Sequence, residues 1–339
     1  MATAGQAHVD FLEAAMAQAQ QQREGWNTQA LSRFLWALVT MEAGGHYSQA
    51  LFEQAASLCT RHPHVFFARP ADMASIMWPF GYARHYDPAL YSVAAAMLEQ
   101  RPEQHGLSLA QTAALLVPLA QMQHACPAAC RQVAESLKLS LAQQSSEASF
   151  ATLSSLLWSL MLLGYLDTAL LQAAFSRDQP DPEAVKVADS LPRDFREHAL
   201  KVWRQQTTEK QVISDYQQKV LQALSDMGLE PQIERKTRDW LFSIDVCLKL
   251  GDVLVAVEVN GPLHYSASLP WRPTGKKLLR NAFLARRGYR VVDVAWWQWE
   301  RVRVDQDRAQ QYLRDLLEDA VVTPLDQDHW AAGAGLHGS

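Results

Sequence analysis

The residues best suited to chemistry lie in the stretch 255–264, VAVEVNGPLH, and just before it in 241–248, LFSIDVCL. Val255, Val257 and Val259 alternate with Ala256, Glu258 and Asn260, the period of two expected of a strand. Gly261 and Pro262 end that strand, and His264 follows the turn. The earlier stretch reads as a neighbouring strand carrying one acid, Asp245. A carboxylate is costly in a β-branched strand unless something uses it. Two carboxylates on adjacent strands can hold Mg²⁺ beside a phosphodiester, where the metal polarises the phosphoryl group and generates hydroxide. Asp245 and Glu258 are therefore the candidate metal ligands and, with Asn260, the candidate catalytic residues. Asn260 can be neither a cation nor a general base.

The elements that must position these groups follow from the pattern. Residues 208–228 form an amphipathic stripe ending at Gly228, and strands are expected at 231–237, 240–249 and 252–260. Thr274 can cap a helix running through Arg287, which Gly288 ends. Residues 289–297 alternate as a further strand, and 305–319 form the last helix. Trp296, Trp297 and Trp299 would straddle both faces of that strand, leaving at least one exposed. Between Tyr265 and Arg308 stand ten Lys or Arg against four acids, a local excess of +6 in a chain of net charge −5. Lys276, Lys277, Arg280 and Arg287 are the candidate phosphate contacts, since Lys276 and Arg280 can share one helical face. His264 is a candidate loop or phosphate contact, with a general base as its other reading, and Trp271 is a candidate for stacking on a base.

The first two hundred residues carry a different signal. The segments 28–36 (TQALSRFLW), 70–78 (PADMASIMW), 109–117 (LAQTAALLV) and 150–158 (FATLSSLLW) align without gaps, with last residues 42, 39 and 41 positions apart. Each is followed by a second helical pattern, at 47–52, 87–94, 127–137 and 167–175. A period near 40 indicates helix pairs that stack, each burying a face on the next. Trp36, Trp78 and Trp158 recur at one register, with Val117 in their place once, and are expected in the core between repeats, with base stacking as the alternative. Pro79 and Pro118 follow that register directly, where proline kinks or ends a helix. The loops 44–46, 101–106 and 143–147 separate the helices, 178–182 (DQPDP) is a break, and 183–206 reads as a final helix or cap.

Composition bounds the rest. With 339 residues, 48% apolar and 20% charged, the chain has room for two domains and a sizeable core. No apolar run approaches the roughly 18 residues of a membrane span. Residues 1–23 are rich in Ala and Gln, with Asp10, Glu13 and no arginine before Arg23, which fits neither a signal peptide nor a clear transit peptide. Cys59, Cys126, Cys130 and Cys247 form no disulfide-like framework. Cys126 and Cys130, near His124, read as small buried residues, with zinc as the minor alternative. Gly333, Gly335 and Gly338 mimic a dinucleotide fingerprint without its strand and helix, and 273–277 (PTGKK) lacks the rest of a phosphate loop, so no nucleotide cofactor is expected.

The order α-β-β-β-α-β-α, with an acid on each of two central strands, resembles the restriction-endonuclease-like fold, in which an Asp and a Glu bind a divalent metal and a Lys activates water. More specifically, the run Glu258-x-Asn260-Gly261-Pro262-x-His264, then TGKK at 274–277, Arg280, GYRVV at 288–292 and Trp297-x-Trp299-Glu300 resembles a RAP domain. The helical segments are similar to octotricopeptide repeats and to the helical region of FAST-kinase-like mitochondrial RNA regulators. These resemblances imply an N-terminal α-solenoid followed by an endonuclease-like α/β RAP domain: a multidomain α plus α/β chain. Its domains would be an extension at 1–25, repeats at 26–206, a RAP domain at 207–322 and a disordered tail at 323–339. They imply an RNA-binding protein of organellar RNA processing, stability or translation, with single-stranded mRNA or rRNA as partner. The implied setting is mitochondrion or chloroplast, while the unclear leader leaves the cytosol open. Activity as a metal-dependent endoribonuclease through Asp245 and Glu258 is the alternative, requiring Mg²⁺. Binding as such requires no cofactor, so the balance leans against an enzyme. A scaffold for protein partners is the third reading, supported by the acidic repeat region.

Overall fold

The computed structural model describes residues 28–40, 49–61, 63, 69–99, 107–142, 149–167, 169–171, 197, 201, 204–205 and 213–322. The expected extension at 1–25, the break at 178–182, the cap at 183–206 apart from four residues, the stretch 208–212 and the tail at 323–339 lie outside the described residues. So do the loops 44–46, 101–106 and 143–147. The chain forms two compact units, Met1–Asp181 with Tyr265–Gly275, and Pro182–His264 with Lys276–Ser339. The described residues are mostly helical, with one four-stranded mixed sheet towards the C-terminus. No helix among them is long and apolar enough to cross a membrane.

The first unit contains α1 (Thr28–Thr40), α2 (Gln49–Arg61), α3 (Pro70–Tyr82), α4 (Pro88–Glu99), α5 (Leu109–Gln121), α6 (Pro127–Ala142) and α7 (Phe150–Leu162). Helices α1, α3, α5 and α7 pack side by side in one layer, and α2, α4 and α6 do so in a second. The same two positions are buried in α1, α3 and α5, and the first of them in α7. Leu31 and Leu35 in α1 correspond to Met73 and Met77 in α3, to Thr112 and Leu116 in α5, and Leu153 holds the first position in α7. The spacing of four residues is that of one helical stripe.

The turns repeat as well. Six residues past the tryptophan register, Arg84, Gln123 and Gly164 adopt φ of 54°, 50° and 80°, in the left-handed region that terminates helices. The next amide then reaches back in each case: His85 to the carbonyl of Phe80 (3.0 Å), His124 to Leu119 (2.9 Å) and Tyr165 to Leu160 (2.7 Å). The Asp87 and Asp167 carboxylates cap the following turn by accepting from the amides of Leu90 and Leu170, both at 2.7 Å. The period near 40 is therefore written in the backbone and not in composition alone.

Two expectations are corrected here. Pro79 and Pro118 neither end nor interrupt their helices, which run on to Tyr82 and Gln121. Both prolines are buried, and packing offsets the lost amide bond. A Cβ on Gly81 would stand 2.8 Å from Pro118 Cγ, so glycine lets α3 and α5 approach closely. The recurring tryptophans are not core: Trp36 is 54% exposed, Trp78 39% and Trp158 41%. A first-layer helix has neighbours on two flanks and the second layer behind, which leaves its fourth side open. In α3 the exposed residues Ala71, Ser75, Trp78 and Tyr82 form one helical stripe on that side, and the tryptophan register lies on it.

The segment Tyr265–Gly275 straps two adjacent turns of this unit. Ser266 Oγ donates to the carbonyl of Arg84 (3.0 Å), and Ser268 Oγ donates to that of Tyr86 (3.0 Å) while accepting from its amide (2.9 Å). Arg272 donates from Nε to the carbonyl of Met122 (2.8 Å) and from Nη2 to that of Gln123 (2.9 Å), and its guanidinium lies 3.8 Å from the Tyr86 ring centre.

The second unit contains α8 (Asp215–Asp226), β1 (Gln232–Lys236), β2 (Ser243–Leu250), β3 (Val253–Asn260), a 3₁₀ turn (Pro262–His264), α9 (Gly275–Arg286), β4 (Tyr289–Ala295), α10 (Trp296–Val302) and α11 (Gln306–Val322). The sheet order is β1-β2-β3-β4. Both hairpin pairs are antiparallel, and β3 and β4 are parallel, joined through α9. Val246, Leu248, Val255, Val257, Val292 and Val294 pack with Val220, Leu224 of α8 and Leu313, Leu317 of α11. On the other face Cys247, Ala256 and Tyr289 pack with Leu284 of α9. The expected strand at 289–297 stops at Ala295. Trp296, Trp297 and Trp299 then lie on a helix, Trp299 fully buried and the other two half-buried, so none is exposed.

Candidate nucleic-acid interface

Alternation along β3 turns Glu258 and Asn260 towards α9, while the valines face the opposite core. In the parallel register Glu258 stands beside Asp293 of β4. From α9, the positions 277, 280, 281 and 284 form the inward stripe that helical spacing dictates. The result is a chain of paired charges beneath that helix. Arg280 binds Glu258 through both carboxylate oxygens, at 2.6 and 3.1 Å, and also donates to the carbonyl of Ser243. Lys277, 4% exposed, meets Asp293 at 2.5 Å. Asp293 also accepts from the amides of Asn260 and Asn281, both at 2.8 Å.

Asp245 sits beside this chain and accepts from the amide of Val259 at 2.8 Å. Burial, together with the neighbouring charge of Glu258, pushes its carboxyl up to about 7, against the opposing pull of the Val259 amide and Arg280. Asp245 and Glu258 are thus brought together as expected, but Arg280 is the cation between them. With both Glu258 oxygens on one guanidinium, the pair does not fit a hydrated Mg²⁺ in this arrangement.

The cations of α9 divide differently from the expected outward row. Lys276 is exposed, Lys277 is buried and paired with Asp293, and Arg280 is paired with Glu258 while its side chain stays 31% exposed. His264, on the 3₁₀ turn, is exposed; partial desolvation and then Lys277, Arg280 and Lys276 hold its imidazole below the usual range. Arg287 pairs with Asp239 at 2.6 Å and lies 4.7 Å from the Phe242 ring centre. Trp271, within the strap of the first unit, is 64% exposed.

Asp293 and Asn281 are the site residues that the sequence reasoning missed. The signal for Asp293 was present, because it is an acid within the β-branched run 289–294, the same anomaly that singled out Glu258. Asn281 gave none, being one polar residue on a basic helix. Residues 257–316, from β3 into α11, match the family model for the RAP domain, a module associated with RNA binding.

Proposed function

We propose that the protein binds single-stranded RNA along its helical repeats and grips the strand's backbone or an end with its RAP domain, acting in organellar RNA processing, stability or translation. The observation that carries this reading is the outward stand of Trp36, Trp78 and Trp158 at one register of α1, α3 and α7, three of the four first-layer helices, with Val117 at that register of α5. An indole left half in water contributes little to the core, whereas a row of such rings offers π-faces on which bases stack whatever their sequence. Tyr82 extends one of them, its ring 5.4 Å from that of Trp78. Helix pairs in two layers support an α-solenoid of octotricopeptide-like repeats. The sheet order and its single parallel crossover support a restriction-endonuclease-like RAP fold. The organellar setting, in mitochondrion or chloroplast, rests on the family resemblances of the repeats and of the RAP stretch.

Neutralisation of Glu258 by Arg280 favours binding over cleavage. Incubating the full chain with labelled single-stranded RNA tests this, with Mg²⁺ or with chelator, for wild type, Glu258→Gln and the double variant Trp78→Ala/Trp158→Ala. The expected result is intact, retarded RNA that is insensitive to chelator and to Glu258→Gln, and bound about tenfold or more weakly by the double variant, since each stacked base contributes about 1–3 kcal/mol. Metal-dependent cleavage abolished by Glu258→Gln would overturn it in favour of a nuclease.

A further inference from the structure

At the opposite end of β3 from Glu258, the second unit holds a cleft of about 560 Å³ that the charge chain under α9 does not use. Its lining includes Arg238, Asp239, Asp252, Arg287, Tyr289 and Arg290. Gly288 makes it possible: with φ of 83° it ends α9 and reverses the chain within one residue, placing Arg287 and Arg290 on either side of a single turn. Asp239 and Arg287 neutralise each other, and Asp239 is fixed further by the Thr237 hydroxyl (2.6 Å) and the Leu241 amide (3.2 Å). Arg238 and Arg290 make no ion pair among the described residues. Two guanidiniums therefore remain open to an anion, against one exposed carboxylate, Asp252. The turn that carries Arg238 and Asp239 into the cleft continues to Trp240, which is 54% exposed and held at a left-handed φ of 62° by its amide bond to the carbonyl of Thr237.

We infer that this cleft takes the terminal phosphate of an RNA strand, with Arg238 and Arg290 as its two cations and Trp240 as the platform for the terminal base. The charge count selects the end over the middle of a strand. A terminal monoester brings close to two negative charges at neutral pH, whereas an internal phosphodiester brings one, and each guanidinium can engage a phosphate through two parallel N–H bonds. The exposed indole selects a nucleotide over a phosphate on a peptide, because it offers a ring face to a base. The inference rests on the RNA-binding reading above and names what the carboxy-terminal unit grips.

The test is competition on the full chain. An internally labelled oligouridylate is displaced by unlabelled copies bearing a 5′-phosphate, a 3′-phosphate or hydroxyls at both ends. One phosphorylated form is expected to compete about tenfold better than the hydroxyl form, the ratio that one extra charge-assisted contact supplies. Arg238→Gln/Arg290→Gln should abolish that advantage, weakening the phosphorylated form about tenfold more than the hydroxyl form. Arg238→Gln alone, at an exposed position, should reduce the advantage and serves where melting shows the double variant to be unstable. Trp240→Ala should weaken all three competitors. Equal competition by all three against wild type, or equal weakening of all three by the arginine substitutions, would overturn the phosphate site while leaving RNA binding intact. Unchanged affinities in Trp240→Ala would overturn the choice of a nucleotide end. Failure of every oligonucleotide to bind would overturn this inference and the RNA reading together.

Discussion

Asp245 stands in β2 beside the buried Glu258 of β3. Its carboxyl, raised to about 7 by burial and then by Glu258, prefers to be protonated in the folded chain, while in the unfolded chain it ionises near its ordinary value of 3.8. Between those two values the folded state binds the extra proton, so this group's stabilising contribution is complete below about pH 4 and is lost as the pH rises through 7. Asp245→Asn retains an acceptor for the Val259 amide but cannot ionise. Thermal unfolding at pH 5 and pH 8 should show the wild type losing stability over that range by on the order of 1–2 kcal/mol more than the variant, allowing for screening by solvent. Identical pH dependence in the two proteins would show that Asp245 is ionised throughout, held by Arg280 instead of opposed by Glu258. The sequence placed Asp245 and Glu258 side by side because acids in valine-rich strands are conspicuous. It could not place Arg280, because at 3.6 residues per turn Lys276, Arg280 and Lys277 fall within about 100° of one another, and only docking on the sheet decides which of them is inward.

At the scale of the element, the first-layer helices separate hydrophobicity from burial. Met77 and Trp78 are adjacent, yet Met77 is fully buried and Trp78 is 39% exposed. Met77→Ala should cost about 2–5 kcal/mol as a core truncation, and Trp78→Ala clearly less in spite of the larger side chain removed. Chemical denaturation of the two variants checks the order, and a reversal would return the tryptophans to the core. Gly81→Val should also destabilise, by roughly 1–3 kcal/mol, because its side chain would enter the space held by Pro118. The helices themselves were legible, since apolar residues recur with helical spacing at a period near 40. The open side was not, because periodicity shows where a stripe runs and not how many neighbours cover it. The end of β4 was hidden for a similar reason: Ala295, Trp297 and Trp299 continue the alternation of the strand, while Trp296, Trp299 and Val302 already follow the spacing of α10. Both periods fit the same seven residues, and burial of Trp299 decides between them.

At the scale of the whole molecule, the basic stretch between Tyr265 and Arg308 is less available to a polyanion than its composition suggests. Of its ten cations, Lys277, Arg280, Arg287, Arg303 and Arg308 pair with Asp293, Glu258, Asp239, Glu300 and Asp305, and Arg272 holds two carbonyls. Ten less five less one leaves four: Lys276, Arg286, Arg290 and Arg301. Each phosphate neutralised on a single strand contributes about −0.7 to the slope of log K against log salt, so these four together with Arg238 should give RNA affinity a slope of roughly −3.5 or shallower. A slope near twice that, measured by titration at several salt concentrations, would mean that the internal ion pairs open on binding. The strap has a separate consequence, for the length of the array. Ser266 and Ser268 hold the turn after α3, and Arg272 holds the turn after α5. Those turns are neighbours only because no helix pair intervenes. A pair inserted between α4 and α5 would move them about one helix spacing, 8–10 Å, further apart, beyond the span of a short clasp. A pair added ahead of α1 would leave both holds in place, so the repeat number can vary ahead of α1 but not between α4 and α5 without loosening the strap.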